Sequence, residues 1–312
     1  MSLTRIRGSR GDEAGSAVLL TIFLAAIIII IGIAFNWLVK EHVKTAQVLK
    51  EKAEAMTTAV SVFDTLLFAM LTGKLSSNRI VVSDSSLIGF DKIPMNNQTL
   101  KVREDISINV QDTNGRISVY AGAGGELKKL ITLVDSKSSV GIIADSINDW
   151  VDADDIQRPL GAESEYYRSI GMPYTPRNFS MQYMEELLLI RGMSWELYKK
   201  IKPYITIFPN TGGFNPATAS PLAVIASLEI SEENRKIIQD YIDKGLDIPD
   251  ELFYNLTGRR IHSLDYDLFQ PSRYLEITVT YGYLKNLYTI NAGIGLYPTA
   301  TAPYAVYYWR EG

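Results

Sequence analysis

The sequence predicts an α+β chain in which a long N-terminal helix packs on an antiparallel sheet, and a large all-helical domain is inserted into that sheet. Three observations carry this expectation. An apolar run from Ala17 to Leu38 passes without a proline into a striped helical segment that reaches Gly73. Apolar residues alternate with polar ones in two distant regions, near residues 106–119 and 275–290. Between those regions, from about Glu126 to Asn255, the apolar period becomes helical.

The helix comes first. The run Ala17–Leu38 holds 22 residues, with Thr21 and Asn36 as its frankly polar members. At 1.5 Å per residue it spans about 33 Å, enough to cross a hydrocarbon core of ~30 Å. It exceeds the apolar length of a cleaved secretory signal, and Lys40-Glu41-His42 follows where a small-residue cleavage site would stand. It therefore reads as a retained anchor. Charge leaves its orientation open: Arg5, Arg7 and Arg10 precede it, offset by Asp12 and Glu13, while Lys40, Lys44, Lys50 and Lys52 follow. From Val39 an apolar stripe continues through Val43, Ala46, Leu49, Ala53, Met56, Val60, Phe63, Leu67 and Met70. Steps of three and four mark one helical face, expected to lie against a globular domain, and Gly73 is the expected stop. One helix from about Ser16 to about Leu71 follows.

Strands come next. Ile106, Ile108 and Val110 alternate, Asp112-Thr113-Asn114-Gly115 reads as a hairpin turn, and Ile117 and Val119 resume the alternation. Late in the chain Leu275, Ile277, Val279 and Tyr281 alternate, Lys285-Asn286 breaks the run, and Tyr288 and Ile290 restart it. A last short strand holds Val306 and Tyr308. Between the two β regions, Leu127, Leu130, Ile131 and Val134 form a helical face. Glu185–Ile190 and Trp195–Ile201 read as short helices hinged at Gly192, and Pro221–Leu228 and Glu232–Asp243 as two more.

Composition narrows the chemistry. Cysteine is absent, which removes disulfides, thiolate zinc sites and cysteine nucleophiles. No H-E-x-x-H, G-x-S-x-G or Walker A pattern occurs, and no nucleophile–base pair is visible, so the expectation is not an enzyme. Gly122-Ala123-Gly124-Gly125 lacks the Lys-Ser/Thr of a phosphate loop and reads as a strand-to-helix connection. Leu187–Met193 and Asn215-Pro216-Ala217-Thr218-Ala219 resemble parts of helix-hairpin-helix modules, so a membrane-anchored DNA receptor is the alternative reading. Against it, residues 126–255 hold 20 acids and 13 bases, and phosphate binding needs the opposite balance.

The acidic segment Asp145–Pro159 is the best candidate for chemistry. Calcium takes six to eight oxygen ligands, and Asp152, Asp154, Asp155 and Glu163 supply carboxylates within one short stretch. Counted from Asp152, Asp154 and Glu163 fall at the third and twelfth positions of an EF-hand. Ile156 and Gln157 stand where a ligand and the glycine belong, so a true EF-hand is excluded. An irregular calcium loop and a solvated acidic turn both remain open.

These elements together resemble the K-type minor pseudopilins of bacterial type II secretion. The likeness rests on the leader with Gly15 before the apolar helix and on Asn148-Asp149-Trp150-Val151-Asp152-Ala153-Asp154-Asp155, followed by Arg158-Pro159, Gly161-Ala162-Glu163 and Tyr166-Tyr167. Tyr174, Phe179, Glu185-Glu186-Leu187, Arg191-Gly192-Met193 and Asn215–Pro221 extend it in order. The resemblance implies a type IV pilin-like fold with a helical insertion. It implies cleavage by a prepilin peptidase between Gly15 and Ser16, with methylation of the new N-terminus. It places the chain in the inner membrane, crossing once, with the C-terminal domain in the periplasm. Its implied partners are the I-type and J-type minor pseudopilins at the pseudopilus tip, with calcium held by acidic loops and no nucleic acid.

On this reading residues 1–15 are the leader and 16–72 the N-terminal helix, with 17–38 in the membrane. Residues 73–125 begin the pilin-like domain, 126–255 form the insert and 256–312 the closing strands. Leu20, Val39, Val43 and Ala46 would pack against neighbouring subunits. Leu20 stands where most pilin-like proteins carry a glutamate that pairs with a neighbour's N-terminal amine. A tip subunit has no neighbour above it to supply that amine, and an unpaired carboxylate in lipid is costly.

Overall fold

The computed structural model describes residues 11–312 except Thr211, Asp265 and 283–287, with side chains described from Ser16 onward. The chain divides into two compact units, Met1–Thr57 and Thr58–Gly312.

Helix α1 runs from Gly11 to Thr72. It thus starts before Ser16, the expected beginning, because nothing in Gly11–Gly15 breaks a helix that the following apolar run already propagates. Every residue from Ser16 to Glu54 is exposed, including Leu20, Val39, Val43 and Ala46. In the second unit the buried face of α1 is Ala59, Phe63, Leu66, Leu67, Ala69 and Met70. The expected stripe is therefore buried only in its last turns, and Met56 is exposed. Every face of α1 is exposed from Ser16 up to Glu54, so the earlier part of the stripe has no core beside it to cover. Gly73 ends the helix as expected. A Cβ there would stand 2.7 Å from the Val81 carbonyl oxygen.

Among the described residues three sheets follow. β1 (Lys74–Leu75), β2 (Arg79–Val81) and β3 (Lys92–Pro94) form a small antiparallel sheet. The main sheet is antiparallel in the order β10-β9-β8-β5-β4, built from β4 (Leu100–Arg103), β5 (Ile106–Asp112), β8 (Tyr274–Tyr281), β9 (Tyr288–Gly295) and β10 (Ala305–Glu311). Register pairs Ile108 with Val279 and Ile277 with Ala292, which keeps the alternating apolar residues on one buried face. Phe63 of α1 meets Trp309 of β10 edge to face at 4.8 Å. Early and late strands are thus neighbours, with the helical segment inserted between β5 and β8. The expected break at Lys285-Asn286 lies outside the described residues.

The expected hairpin at Asn114-Gly115 does not form. Thr113–Gly115 is a 3-10 turn capped by Asp112, after which β6 (Ile117–Ser118) leaves the sheet to pair in parallel with β7 (Ile205–Thr206). Strand β5 takes β8 instead, because seven consecutive residue pairs with a shared buried face outweigh a local turn.

The insert contains α2 (Gly125–Val134), α3 (Val140–Val151), α4 (Ser164–Ser169), α5 (Trp195–Ile201), α6 (Pro221–Leu228), α7 (Glu232–Lys244) and α8 (Asp250–Thr257). The short helix expected over Glu185–Ile190 is a 3-10 helix over Met184–Leu189. Two apolar clusters hold the insert. One gathers Leu127, Leu130, Ile143, Ile147, Trp150, Tyr167 and Leu197, and the other Phe214, Val224, Leu228, Ile238 and Phe253.

Candidate metal centre

The sequence treats 145–159 as one acidic stretch, but its first half is helical. Ile143, Ile147 and Trp150 bury one face of α3. On the other side, Asp145, Asp149 and Asp152 recur at four and three residues and so share a face. Trp150 is held by its Nε1, which donates to Glu186 Oε2 at 3.2 Å. Glu186 also accepts from Arg177 Nε at 2.6 Å and Nη2 at 2.8 Å, and from the backbone N–H groups of Gln182 and Tyr183. With the indole fixed inward, the neighbouring carboxylates face the loop that follows.

That loop folds back on the acidic face. The Leu160 N–H donates to Asp145 Oδ2 at 3.2 Å, and the Arg158 N–H lies 3.3 Å from Asp149 Oδ2. Gly161 makes the approach possible, since a Cβ there would sit 1.9 Å from Asp149 Oδ2. The return brings Glu163 to the site. Carboxylate oxygens of Asp149, Asp152 and Glu163 all lie within 4.8 Å of one another.

The electrostatics of this cluster are unbalanced. Asp149 is fully buried and Glu163 is 2% exposed. No N–H or hydroxyl group donates to either Glu163 oxygen or to Oδ1 of Asp152, and the Asp155 carboxylate is the side chain within hydrogen-bonding reach of Glu163. Burial, followed by the charges of Asp149, Asp152 and Asp155, pushes the Glu163 carboxyl up to about 8. The acids also sit at the C-terminal end of α3, where the helix dipole disfavours negative charge. Arg158 answers them from within the cluster: its Nη1 donates to Asp149 Oδ1 at 2.8 Å and also contacts Asp152 Oδ2. These contacts raise the Arg158 pKa further.

The four carboxylates singled out in the sequence thus have different places. Asp152 and Glu163 enter the cluster. Asp155 stands beside Glu163 and accepts from the Ser164 N–H at 3.3 Å; hydrogen bonds from Ser164 hold it below the usual carboxylate range. Asp154 does not join them: it is exposed, and its Oδ1 accepts from the Ile156 N–H in a local turn. Asp149, quoted in the motif but not chosen as a ligand, is the central member. Its signal was the i,i+3 spacing to Asp152 on a helix whose apolar face was legible at Ile143, Ile147 and Trp150.

An all-oxygen donor set with a buried glutamate that no N–H or hydroxyl reaches fits a hard divalent cation. Calcium tolerates such irregular geometry better than magnesium does. Asp149, Asp152 and Glu163 would hold it, with Asp155 alongside.

The elements read as helix-hairpin-helix in the sequence are closed off. Gly192, at φ +86°, packs on Ile142 and Ile143. Asn215 and Thr218 are fully buried, and their side chains serve Asp112.

Residues 107–210, which contain this centre, match the family model described as type II secretion system (T2SS), protein K, in its first domain. This region is similar to the type II secretion system protein K family over that stretch, a third of the chain. The type II secretion system protein K of Aeromonas hydrophila is 32% identical over 107 residues, covering 34% of this chain and 30% of that protein. Its namesake from Pectobacterium carotovorum is 33% identical over 67 residues, 22% of this chain and 20% of the relative. That of Pseudomonas aeruginosa is 24% identical over 187 residues, 55% of each. The matches thus span between a fifth and about half of the length of these curated relatives. Among solved structures, a chain of the GspK-GspI-GspJ complex from the enterotoxigenic Escherichia coli type 2 secretion system superposes with a TM-score of 0.53 at 17% identity. The match covers 88% of this chain and 98% of that one. The shared fold is the pilin-like one: a long N-terminal apolar helix, an antiparallel sheet and additional helices.

Proposed function

We propose that this chain is a minor pseudopilin that works at the tip of the type II secretion pseudopilus, initiating or capping its assembly. The observation that carries the reading is the protein K match over 107–210, in a chain whose α1 exposes an unbroken apolar surface from Ala17 to Leu38. Among the described residues this is one helix long and apolar enough to cross a membrane, with mean hydropathy 3.2 over its best window. It fits a single-pass anchor in the inner membrane with the C-terminal domain in the periplasm. Val39, Val43 and Ala46 extend the apolar surface past the anchor, as expected for packing beside neighbouring pilin-like helices. The partners would be the I-type and J-type minor pseudopilins, and a prepilin peptidase would cut between Gly15 and Ser16.

Calcium is part of this proposal, with Asp149, Asp152 and Glu163 as its holders. A folded-state ligand would also relieve the repulsion among these buried acids, so the metal would act on stability and on the shape of the 153–163 loop.

The direct test is co-expression of the detergent-solubilised full chain with I-type and J-type pseudopilins. Co-purification of the three at micromolar concentration is the expected result. Elution of this chain alone under all conditions would overturn the tip assignment.

A further inference from the structure

Resting on the calcium reading above, we infer that Arg158 is a built-in competitor of the metal: its guanidinium stands in for the cation when none is bound, and must swing out for the cation to enter.

The argument begins with charge. Asp149, Asp152, Asp155 and Glu163 gather at one place, and the nearest compensating cation is Arg158. Its Nη1 reaches both Asp149 Oδ1 and Asp152 Oδ2, two of the three acids that form the cluster. A point cation bridging these two carboxylates would occupy the same space. The guanidinium fills that place incompletely. It is planar and its donors diverge, so no N–H of it reaches the oxygens of Glu163 or Oδ1 of Asp152. A spherical ion with six to eight oxygen contacts can address all of them. The arginine is therefore a weaker occupant than calcium but a better one than nothing.

The geometry also permits exchange. The Arg158 side chain is 38% exposed, whereas that of Asp149 is fully buried, so the arginine can leave and the carboxylate cannot. Its backbone N–H stays close to Asp149 in either state, which keeps the loop in register while the side chain moves. Arg158 would thus lower calcium affinity while preserving the fold in calcium-poor surroundings. An opposing role is conceivable on the same contacts: Arg158 could hold Asp149 and Asp152 in place for the metal. The two roles move calcium affinity in opposite directions, so one experiment separates them.

The experiment is calorimetric calcium titration of the detergent-solubilised full chain after chelator treatment, for wild type, Arg158→Gln and Arg158→Lys. Melting curves in chelator and in calcium accompany each titration. Competition predicts that Arg158→Gln binds calcium about tenfold more tightly, a change of the size expected for one displaced charge pair. It also predicts a lower melting temperature for that variant in chelator, and a difference that shrinks in saturating calcium. Arg158→Lys, which keeps the charge but loses the fork, should fall between the two. If wild type binds calcium and Arg158→Gln binds equally or more weakly, the inference is overturned while the calcium reading stands. If neither binds, the calcium reading fails and the inference falls with it. Binding by Arg158→Gln alone would support the competition and show that the native chain keeps its cation site closed. If Arg158→Gln fails to fold in chelator, Arg158→Lys decides: tighter calcium binding than wild type supports the competition, and equal or weaker binding overturns it.

Discussion

Thr218 Oγ1 donates a 3.0 Å hydrogen bond to Asp112 Oδ2, joining residues 106 positions apart. Asp112 ends β5, and Thr218 lies just before α6 in the insert. The same carboxylate accepts from Asn215 Nδ2 at 3.0 Å, from the Ser272 N–H at 2.9 Å and from the Asn114 N–H at 3.1 Å. One buried acid thus ties the sheet, the insert and the return into β8. Burial pushes its carboxyl up, against the hydrogen bonds that pull it down. The polar character of Asn215-Pro216-Ala217-Thr218 is explained by this joint and needs no ligand.

Asp112→Ala should destabilise the folded chain by about 3 kcal/mol, because it strands several buried donors at once. Thr218→Val, which keeps shape and removes one hydroxyl, should cost about 1 to 2 kcal/mol. Denaturant unfolding of the full chain in detergent reads both. Equal, negligible effects would show that the joint is not structural.

Asp149→Ala and Glu163→Gln should abolish the rise in melting temperature caused by millimolar calcium, while Asp154→Ala should leave it intact. At a hundredfold excess over Kd the rise corresponds to about 2.7 kcal/mol. Magnesium should give less. Gly161→Ala should behave like Asp149→Ala, since its methyl group would enter the space of the Asp149 carboxylate. Loss of the calcium effect in Asp154→Ala alone would relocate the site to the loop tip.

Glu185 and Arg310 predict an acid-side change. Arg310 binds the Glu185 carboxylate through both Nη1 and Nη2, at 2.9 and 2.8 Å, linking the insert to β10. That pairing holds the Glu185 carboxyl at about 2, below its ordinary 4.5. The folded pKa is depressed, so the contribution is present above about 4.5 and is lost as pH falls through about 2. With side chains 40% and 52% exposed, it should amount to about 1 kcal/mol or less and shrink with salt. Glu185→Gln should flatten the stability profile in this window, lowering stability at neutral pH by that amount and leaving it unchanged below about pH 2. An identical acid profile in the variant would remove the pair from the account.

Processing is the fourth expectation. Protein recovered from the native membrane should begin at Ser16, as mass spectrometry of its N-terminal peptide would report. A mature form that keeps Met1, or is cut beyond Leu38, would oppose the pseudopilin reading.

The sequence by itself determined whatever depends on local period. The anchor is legible because a membrane-spanning helix must be apolar all round. Strands β5, β8 and β9 are legible because one buried face forces alternation, and α6 because Ser220 and Pro221 mark its start. Two of the three carboxylates of the candidate centre were legible as well, since Asp152 and Glu163 stand out as acids in a short stretch.

Tertiary structure decided the rest. It chose β8 over a hairpin as the partner of β5, because long-range pairing with a shared core outweighs one favourable turn. It limited the buried part of the α1 stripe to its last turns, because apolar periodicity shows which face could be covered and not how far along the helix a core lies against it. It set Asp149 at the heart of the acidic cluster and Asp154 outside it. Spacing along the chain cannot report that difference: it depends on Trp150 being pinned inward by Glu186 and on Gly161 letting the loop return against α3. Carboxylates are placed by what buries their neighbours.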